Sequence, residues 1–146
     1  MPPDAPPYPQ LVLEHQRHPR NFGALAGHTH AADGDNALCG DHLRVELVCR
    51  EGRITAFGFS GDACAIAIAS ASMLGERAPG LDGAQLAALE RRFRAVIAGE
   101  CAHDGALGDL NAFGELQRHP LRRKCALLAW AAARAALAGA SSATTE

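Results

Sequence analysis

The chain has 146 residues, of which 48% are hydrophobic and 21% are charged, and its formal net charge is −2. This length and apolar content predict one globular domain over residues 1–146 that folds without disulfide bonds. The basic residues are dispersed, which excludes the dense cationic surface needed to bind nucleic acid, and no apolar run approaches the roughly 20 residues that span a membrane.

The N-terminal third of the chain begins with a helix pattern. Apolar residues among polar neighbours predict a short helix over residues 8–17, which Pro19 and Gly23 end. The polar stretch around Gly34 and Asn36 indicates a turn or a short strand end. We predict that residues 1–7 are disordered.

Two strands follow. Apolar and polar residues alternate with a period of two over residues 41–49 and again over 54–59. The compact turn at 51–53 joins the two strands, and this pattern predicts an antiparallel hairpin.

Helical patterns occupy the rest of the chain. Residues 63–76 are small or apolar on nearly every side, and Asp82 is placed to cap the next helix. Residues 99–114 are a looser, glycine-containing region, and Pro120 opens a long helix that runs to residue 138. We predict that residues 140–146 are disordered, and that the fold class is α+β, with a small antiparallel sheet of about three strands covered by helices.

The five cysteines indicate metal or thiol chemistry. The N-terminus has no cationic region followed by an apolar stretch, so it does not resemble a secretory signal, and we predict a cytoplasmic location. Disulfides are disfavoured in that reducing compartment, and five is an odd number.

Three cysteines stand where a thiolate is favoured. Cys39 is separated from Asp41 only by Gly40, which lets a thiolate and a carboxylate share one metal ion. Cys64 lies at the predicted start of a helix, where free N–H groups stabilise a thiolate. Cys125 follows three cations, which we expect to lower its pKa.

These side chains make a candidate metal site. Three thiolates and one carboxylate would complete a tetrahedral site for zinc or ferrous iron, and the harder oxygen ligand would be displaced more easily than sulfur. The predicted ligands are Cys39, Asp41, Cys64 and Cys125. Arg123 and Lys124, the latter the only lysine of the chain, are predicted to assist Cys125.

The remaining cysteines and the histidines favour structural roles. Cys49 continues the buried face of the first predicted strand, and Cys101 lies in the loose region. His28 and His30 flank Thr29 and offer a second, weaker metal site, but exposed or hydrogen-bonded histidines are commoner.

Four motifs resemble the U-type iron–sulfur cluster assembly family, which contains IscU, SufU and the N-terminal part of NifU. The resemblance covers residues 8–138. The motifs are His18-Pro19-Arg20-Asn21-Phe22-Gly23, Asn36-Ala37-Leu38-Cys39-Gly40-Asp41, Gly61-Asp62-Ala63-Cys64 and Arg123-Lys124-Cys125-Ala126-Leu127-Leu128-Ala129-Trp130. The resemblance implies a SufE/NifU-like fold.

The resemblance is closest to the SufU branch. The step from Cys64 to Cys125 is long, as in SufU, and Gly108-Asp109-Leu110 resembles that branch's insertion. Lys124 stands where IscU proteins carry histidine, and the IscU chaperone-recognition motif is missing.

The resemblance implies a function. Zinc would be bound by Cys39, Asp41, Cys64 and Cys125, and the protein would accept persulfide sulfur from a SufS-type cysteine desulfurase and pass it toward a downstream cluster scaffold. Cys125 is our choice for the sulfur acceptor. The alternative is a scaffold on which iron, or a [2Fe–2S] cluster, is held by Cys39, Cys64 and Cys125 and then transferred.

Overall fold

The computed structural model describes residues 9–145, so the predicted disorder of residues 1–7 lies outside the described residues. The strands are β1 His30–Asn36, β2 Asp41–Arg50, β3 Arg53–Asp62 and β4 Ser142–Thr144. The helices are α1 Gln10–Arg17, α2 Ala65–Arg77, α3 Gly83–Ile97 and α4 Pro120–Leu137, with a 3₁₀ helix at Gly105–Arg118. The predicted α+β architecture is confirmed, with four strands in the order β3-β2-β1-β4.

The β2–β3 hairpin is confirmed. Its turn residues Glu51 and Gly52 have φ of 53° and 77°, the left-handed values that match the twist of a tight hairpin. The antiparallel register is irregular between Val48 and Cys49. Cys49 is therefore half-buried rather than fully buried on the inner face, as the alternating pattern predicts.

Strand β1 is longer than the sequence predicts. The stretch around Gly34 and Asn36 is not a turn but part of a seven-residue strand that pairs antiparallel with β2. A Cβ atom on Gly34 would lie 3.1 Å from the Leu128 side chain, so the absence of a side chain there lets α4 lie close against β1.

The C-terminal segment also differs from the prediction of a disordered tail over residues 140–146, of which residue 146 lies outside the described residues. Ser142–Thr144 forms β4, which pairs parallel with β1. The Asp33 amide donates to the carbonyl of Ser141 at 2.9 Å, and the Thr145 amide donates to the carbonyl of Asp35 at 3.2 Å. Backbone pairing with the free edge of β1 thus orders this polar segment without any apolar pattern.

The helices enclose a core against the sheet. Trp130 of α4 stacks on Phe93 of α3 with ring centroids 4.9 Å apart, and its indole N–H donates to Ser70 of α2 at 3.1 Å. Asp82 caps α3 in a capping box with Gln85, as its position predicts. The prediction of a loose region over residues 99–114 is partly wrong, because Gly105–Arg118 is a 3₁₀ helix interrupted at Gly108.

Within residues 9–145 no helix combines the length and the apolar character needed to cross a lipid bilayer.

Candidate metal centre

The β1–β2 hairpin places Cys39 and Asp41 on one loop. Asn36 pairs with Asp41 at the end of the hairpin, and the four residues between them form two overlapping turns. The Cys39 amide donates to the carbonyl of Asn36 at 3.2 Å, and Gly40 adopts a φ of 68°, a value that glycine tolerates without strain. The loop therefore folds back on itself as the sequence predicts.

Asp41 connects this loop to the start of α2. Asp41 is only 3% exposed, and its Oδ1 accepts a hydrogen bond from the Cys64 amide at 2.8 Å. Oδ2 is buried and has no hydrogen-bond partner among the described residues. A buried carboxylate oxygen without a donor is costly unless a cation neutralises it.

Cys125 reaches the loop from α4. It is fully buried, and its Sγ lies 3.3 Å from Cys39 Sγ although the two residues are far apart in the chain. Helical spacing places Cys125, Leu128 and Ala132 on the same side of α4, and that side packs on β1 at Gly34. The close approach at Gly34 thus brings the thiol to the hairpin loop.

Three of the four predicted ligands meet. Ligand atoms of Cys39, Asp41 and Cys125 all lie within 4.8 Å of one another, and this is the one group of metal-ligand type found in residues 9–145. Cys64 is outside that group, but it interacts with Cys125 closely enough for each thiol to shift the pKa of the other. Cys64 is also the N-cap of α2, as predicted.

The pKa values of the two inner thiols, Cys64 and Cys125, are shifted in opposite directions. The hydrogen bond from Cys125 lowers the pKa of Cys64 to about 6, and the N–H groups of Ala67 and Ile66 at the helix start also favour its thiolate. The pKa of Cys125 is raised, first by its hydrogen bond to the Cys64 thiolate and then by burial. Of the two thiols, Cys64 is therefore the more acidic.

The prediction that neighbouring cations lower the pKa of Cys125 is therefore wrong. Arg123 Nε donates to the carbonyl of Leu116 at 3.1 Å, and its guanidinium also bonds the carbonyl of Gln117. These contacts fasten the end of the 3₁₀ helix, while the sulfur of Cys125 faces the interior. Lys124 is half-buried.

The other cysteines and histidines have structural contacts. Cys101 Sγ donates to the carbonyl of His103 at 3.2 Å. His15 is buried and hydrogen-bonded to Ser72, and His30 is hydrogen-bonded to Thr29. His28 contacts the carbonyl of Leu25. The weaker metal site at His28 and His30 is not among the metal-ligand groups of the described residues.

Sequence reasoning missed Asn36 as part of the site. Asn36 is fully buried, and its Nδ2 donates to Cys125 Sγ at 3.6 Å. The signal was its place at the start of the Cys39 motif, but only the pairing of β1 with β2 shows that its side chain faces the thiols.

The donor set fits a soft or borderline metal ion. Two sulfur atoms and a buried carboxylate converge, and Asp41 Oδ2 has no donor of its own among the residues described. Zinc and ferrous iron both accept such mixed sulfur and oxygen ligands. An ion in contact with Oδ2 would remove the cost of burying that oxygen unpaired.

Residues 7–144 match the family model of the NifU-like N-terminal domain. This chain belongs to that family. The family match covers nearly the whole chain, so the predicted resemblance to U-type iron–sulfur cluster assembly proteins is confirmed.

Individual relatives of this NifU-like chain come from both branches. It is 32% identical to the zinc-dependent sulfurtransferase SufU of Bacillus subtilis, over 86% of this chain and 85% of that one. It is 28% identical to the iron–sulfur cluster assembly scaffold protein IscU of Thermotoga maritima, over 89% of this chain and 92% of that one. The crystal structure of a NifU-like protein (N-terminal) from Brucella abortus superposes with a TM-score of 0.81 at 24% identity, over 90% of this chain and 92% of that one, which shows the shared fold.

Proposed function

We propose that this protein is a zinc-dependent sulfurtransferase of iron–sulfur cluster assembly, which accepts sulfur from a SufS-type cysteine desulfurase and delivers it to a downstream cluster scaffold. The observation that carries the proposal is the convergence of Cys39 Sγ, Asp41 and Cys125 Sγ, with a buried carboxylate oxygen that lacks a donor among the described residues. The SufU relative, named zinc-dependent, supports zinc.

Zinc would be held by Cys39, Asp41, Cys64 and Cys125. When bound, it would supply a positive charge that keeps the thiols deprotonated without redox chemistry. Asp41 would bind the ion and also position Cys64. Its Oδ1 accepts a hydrogen bond from the Cys64 amide, while its Oδ2 is free to face the ion. The N–H groups at the start of α2 favour the thiolate of Cys64 in the same way.

Cys125 is the proposed acceptor. Its thiolate would attack the outer sulfur of the desulfurase persulfide, forming a new S–S bond to that sulfur while the persulfide S–S bond of the donor breaks. The donor cysteine leaves as a thiolate, so no external oxidant or reductant is needed. Because Cys125 is fully buried, this step requires that the exposed Cys39 loop give access to it.

We propose different roles for Arg123 and Lys124. The contacts of Arg123 to backbone carbonyls support a role in holding the start of α4. Lys124 remains our proposed cation near the incoming anionic persulfide, because it is only half-buried in the first turns of α4.

A second function uses the same ligands. The chain is also related to IscU proteins named as cluster assembly scaffolds. On this alternative, Cys39, Cys64 and Cys125 would hold a [2Fe–2S] cluster that is later transferred, and the protein would be a binding protein rather than an enzyme.

One pair of measurements separates the two functions. The metal content of freshly purified protein is determined, and the protein is then added to a cysteine desulfurase while cysteine turnover is followed. A sulfurtransferase contains about one zinc per chain and accelerates turnover, and Cys125→Ser abolishes the acceleration. Cys101→Ser is the matched control, since Cys101 contacts His103 outside the site, and it should accelerate turnover like the wild type.

The opposite result is equally clear. A protein that leaves desulfurase turnover unchanged, yet gains a coloured and transferable cluster on anaerobic reconstitution with iron and sulfide, is a scaffold. Acceleration that survives Cys125→Ser would contradict the assignment of Cys125 as the acceptor.

A further inference from the structure

Asn36 is a buried polar residue that the proposed function leaves unused. Its side chain is fully buried at the end of β1, and Nδ2 donates to Cys125 Sγ at 3.6 Å. Sulfur is a larger atom than oxygen, so an N–H···S hydrogen bond of this length is normal. Asn36 Oδ1 has no hydrogen-bond partner among the described residues.

The fold alone does not account for an amide here. The neighbouring inward positions of β1 are Ala32, which is fully buried, and Gly34, which packs against α4. A buried amide that satisfies only part of its hydrogen-bonding capacity is less favourable than an apolar side chain of the same shape. Leucine has that shape and would fill the same space without an unpaired oxygen.

We propose that Asn36 is a positioning residue that holds the Cys125 sulfur toward the metal through its Nδ2–H···Sγ hydrogen bond. The proposal rests on the proposed function, in that Cys125 is a metal ligand. A thiolate is only an acceptor, so the amide N–H group is the part of Asn36 that suits it. Hydrogen bonds to a ligand atom orient it and set how strongly the metal is held.

The position of Asn36 makes this bond rigid. Asn36 pairs with Asp41 across the hairpin, and its carbonyl accepts the Cys39 amide. The backbone of one residue thus fixes the loop that carries two proposed ligands, while its side chain contacts the third, Cys125. The sulfur of Cys125 would stay oriented by Asn36 even during steps in which it leaves the metal.

The variant Asn36→Leu separates a positioning role from a structural one. We expect the metal-free variant to be at least as stable as the wild type, because the unpaired amide oxygen is removed. Its zinc affinity, measured by competition with a chelator, should fall about 10- to 100-fold, which is typical of losing a hydrogen bond to a metal ligand.

Asn111→Leu is the matched control. Asn111 is half-buried, and its side chain bonds the backbone of Asp104 and Gly108, away from the thiols. The same substitution there should lower stability and leave zinc affinity unchanged. A folded Asn36→Leu variant that binds zinc with wild-type affinity would overturn the proposal.

A second measurement needs no variant. In wild-type protein labelled with nitrogen-15 and loaded with cadmium-113, the side-chain amide hydrogens of Asn36 should show scalar coupling to the metal through the N–H···S bond. Loaded protein without this coupling would overturn the role of Asn36 and leave the metal site standing. Failure to bind cadmium or zinc at all would overturn this inference together with the proposed metal site.

Discussion

Asn36 and Asp41 face each other as the last cross-strand pair of the β1–β2 hairpin, and each has a buried side-chain oxygen without a hydrogen-bond partner among the described residues. Two such oxygens at the base of one loop are unfavourable for folding alone. The loop between them carries Cys39, and Cys125 Sγ lies 3.3 Å from that cysteine's sulfur. The hairpin end is therefore built around the thiols, and its residues are the first to test.

Asp41→Asn tests the carboxylate as a ligand. The substitution keeps the shape of the side chain but removes the negative charge next to the thiols. We expect zinc affinity to fall by at least the roughly 10- to 100-fold that follows loss of a group supporting a metal ligand. Chelator competition measures the change. Asp62→Asn, at an exposed residue of β3, is the control and should bind zinc like the wild type; equal affinities for both variants would exclude Asp41 from the site.

Cys125→Ala tests the interaction between Cys64 and Cys125 in metal-free protein. The hydrogen bond from Cys125 is the largest cause of the lowered pKa of Cys64, about 6, so removing that thiol should raise the pKa of Cys64. At neutral pH, Cys64 should then react more slowly with an alkylating reagent, as followed by mass spectrometry against pH. Cys101→Ala serves as control. A pH profile of Cys64 that does not move in Cys125→Ala would show that the two thiols do not interact.

Gly61→Ala tests the close contact of β3 with β2. Gly61 has a φ of 134°, and a Cβ atom there would collide with the carbonyl oxygen of His42. Backbone strain and the clash together should lower the free energy of unfolding by more than about 2 kcal/mol, measured with urea. In contrast, Gly83→Ala at the start of α3 meets no atom within 4 Å and should not destabilise the protein. Similar losses for both variants would count against this account of the β2–β3 contact.

His15 should make stability depend on pH. Burial, and then the charge of Arg20, lower the pKa of His15 below the value of 6.5 for an unperturbed histidine. As the pH falls below about 6.5, the unfolded chain binds the proton first, so the stabilisation present at higher pH is lost toward the folded-state pKa.

Urea unfolding between pH 8 and 5 measures this effect. His15→Gln removes the titrating group and should show a weaker loss of stability on acidification than the wild type. Identical pH dependence in the two proteins would mean that the imidazole, hydrogen-bonded to Ser72 at 2.7 Å, does not resist protonation.

The sequence predicts elements whose signal is local. The β2–β3 hairpin follows from alternating residues and a turn, and the start of α4 follows from Pro120. Strand β1 carries no such signal, because its inward residues Ala32, Gly34 and Asn36 are small or polar. Its structure comes from pairing with β2 and packing against α4, which only the folded chain shows.

For the candidate site, the sequence predicts the identity of the ligands better than their electrostatics. The motifs identify Cys39, Asp41, Cys64 and Cys125, and the structure brings three of them within 4.8 Å. Their electrostatics were not predictable from neighbours in the chain. Arg123 precedes Cys125 by two residues, yet it faces backbone carbonyls, because successive residues of a helix point in different directions.

The 3.3 Å approach of Cys39 to Cys125 spans 86 positions of the chain. A metal ion bound by both residues would hold the β1–β2 hairpin against α4. No isolated fragment of the chain could therefore bind the ion in the same way. Metal binding would then stabilise the whole fold. It would add about 1.4 kcal/mol to the free energy of unfolding for each tenfold excess of free metal over its dissociation constant. The midpoint temperature of thermal unfolding would therefore rise with the fraction of protein whose metal centre holds an ion.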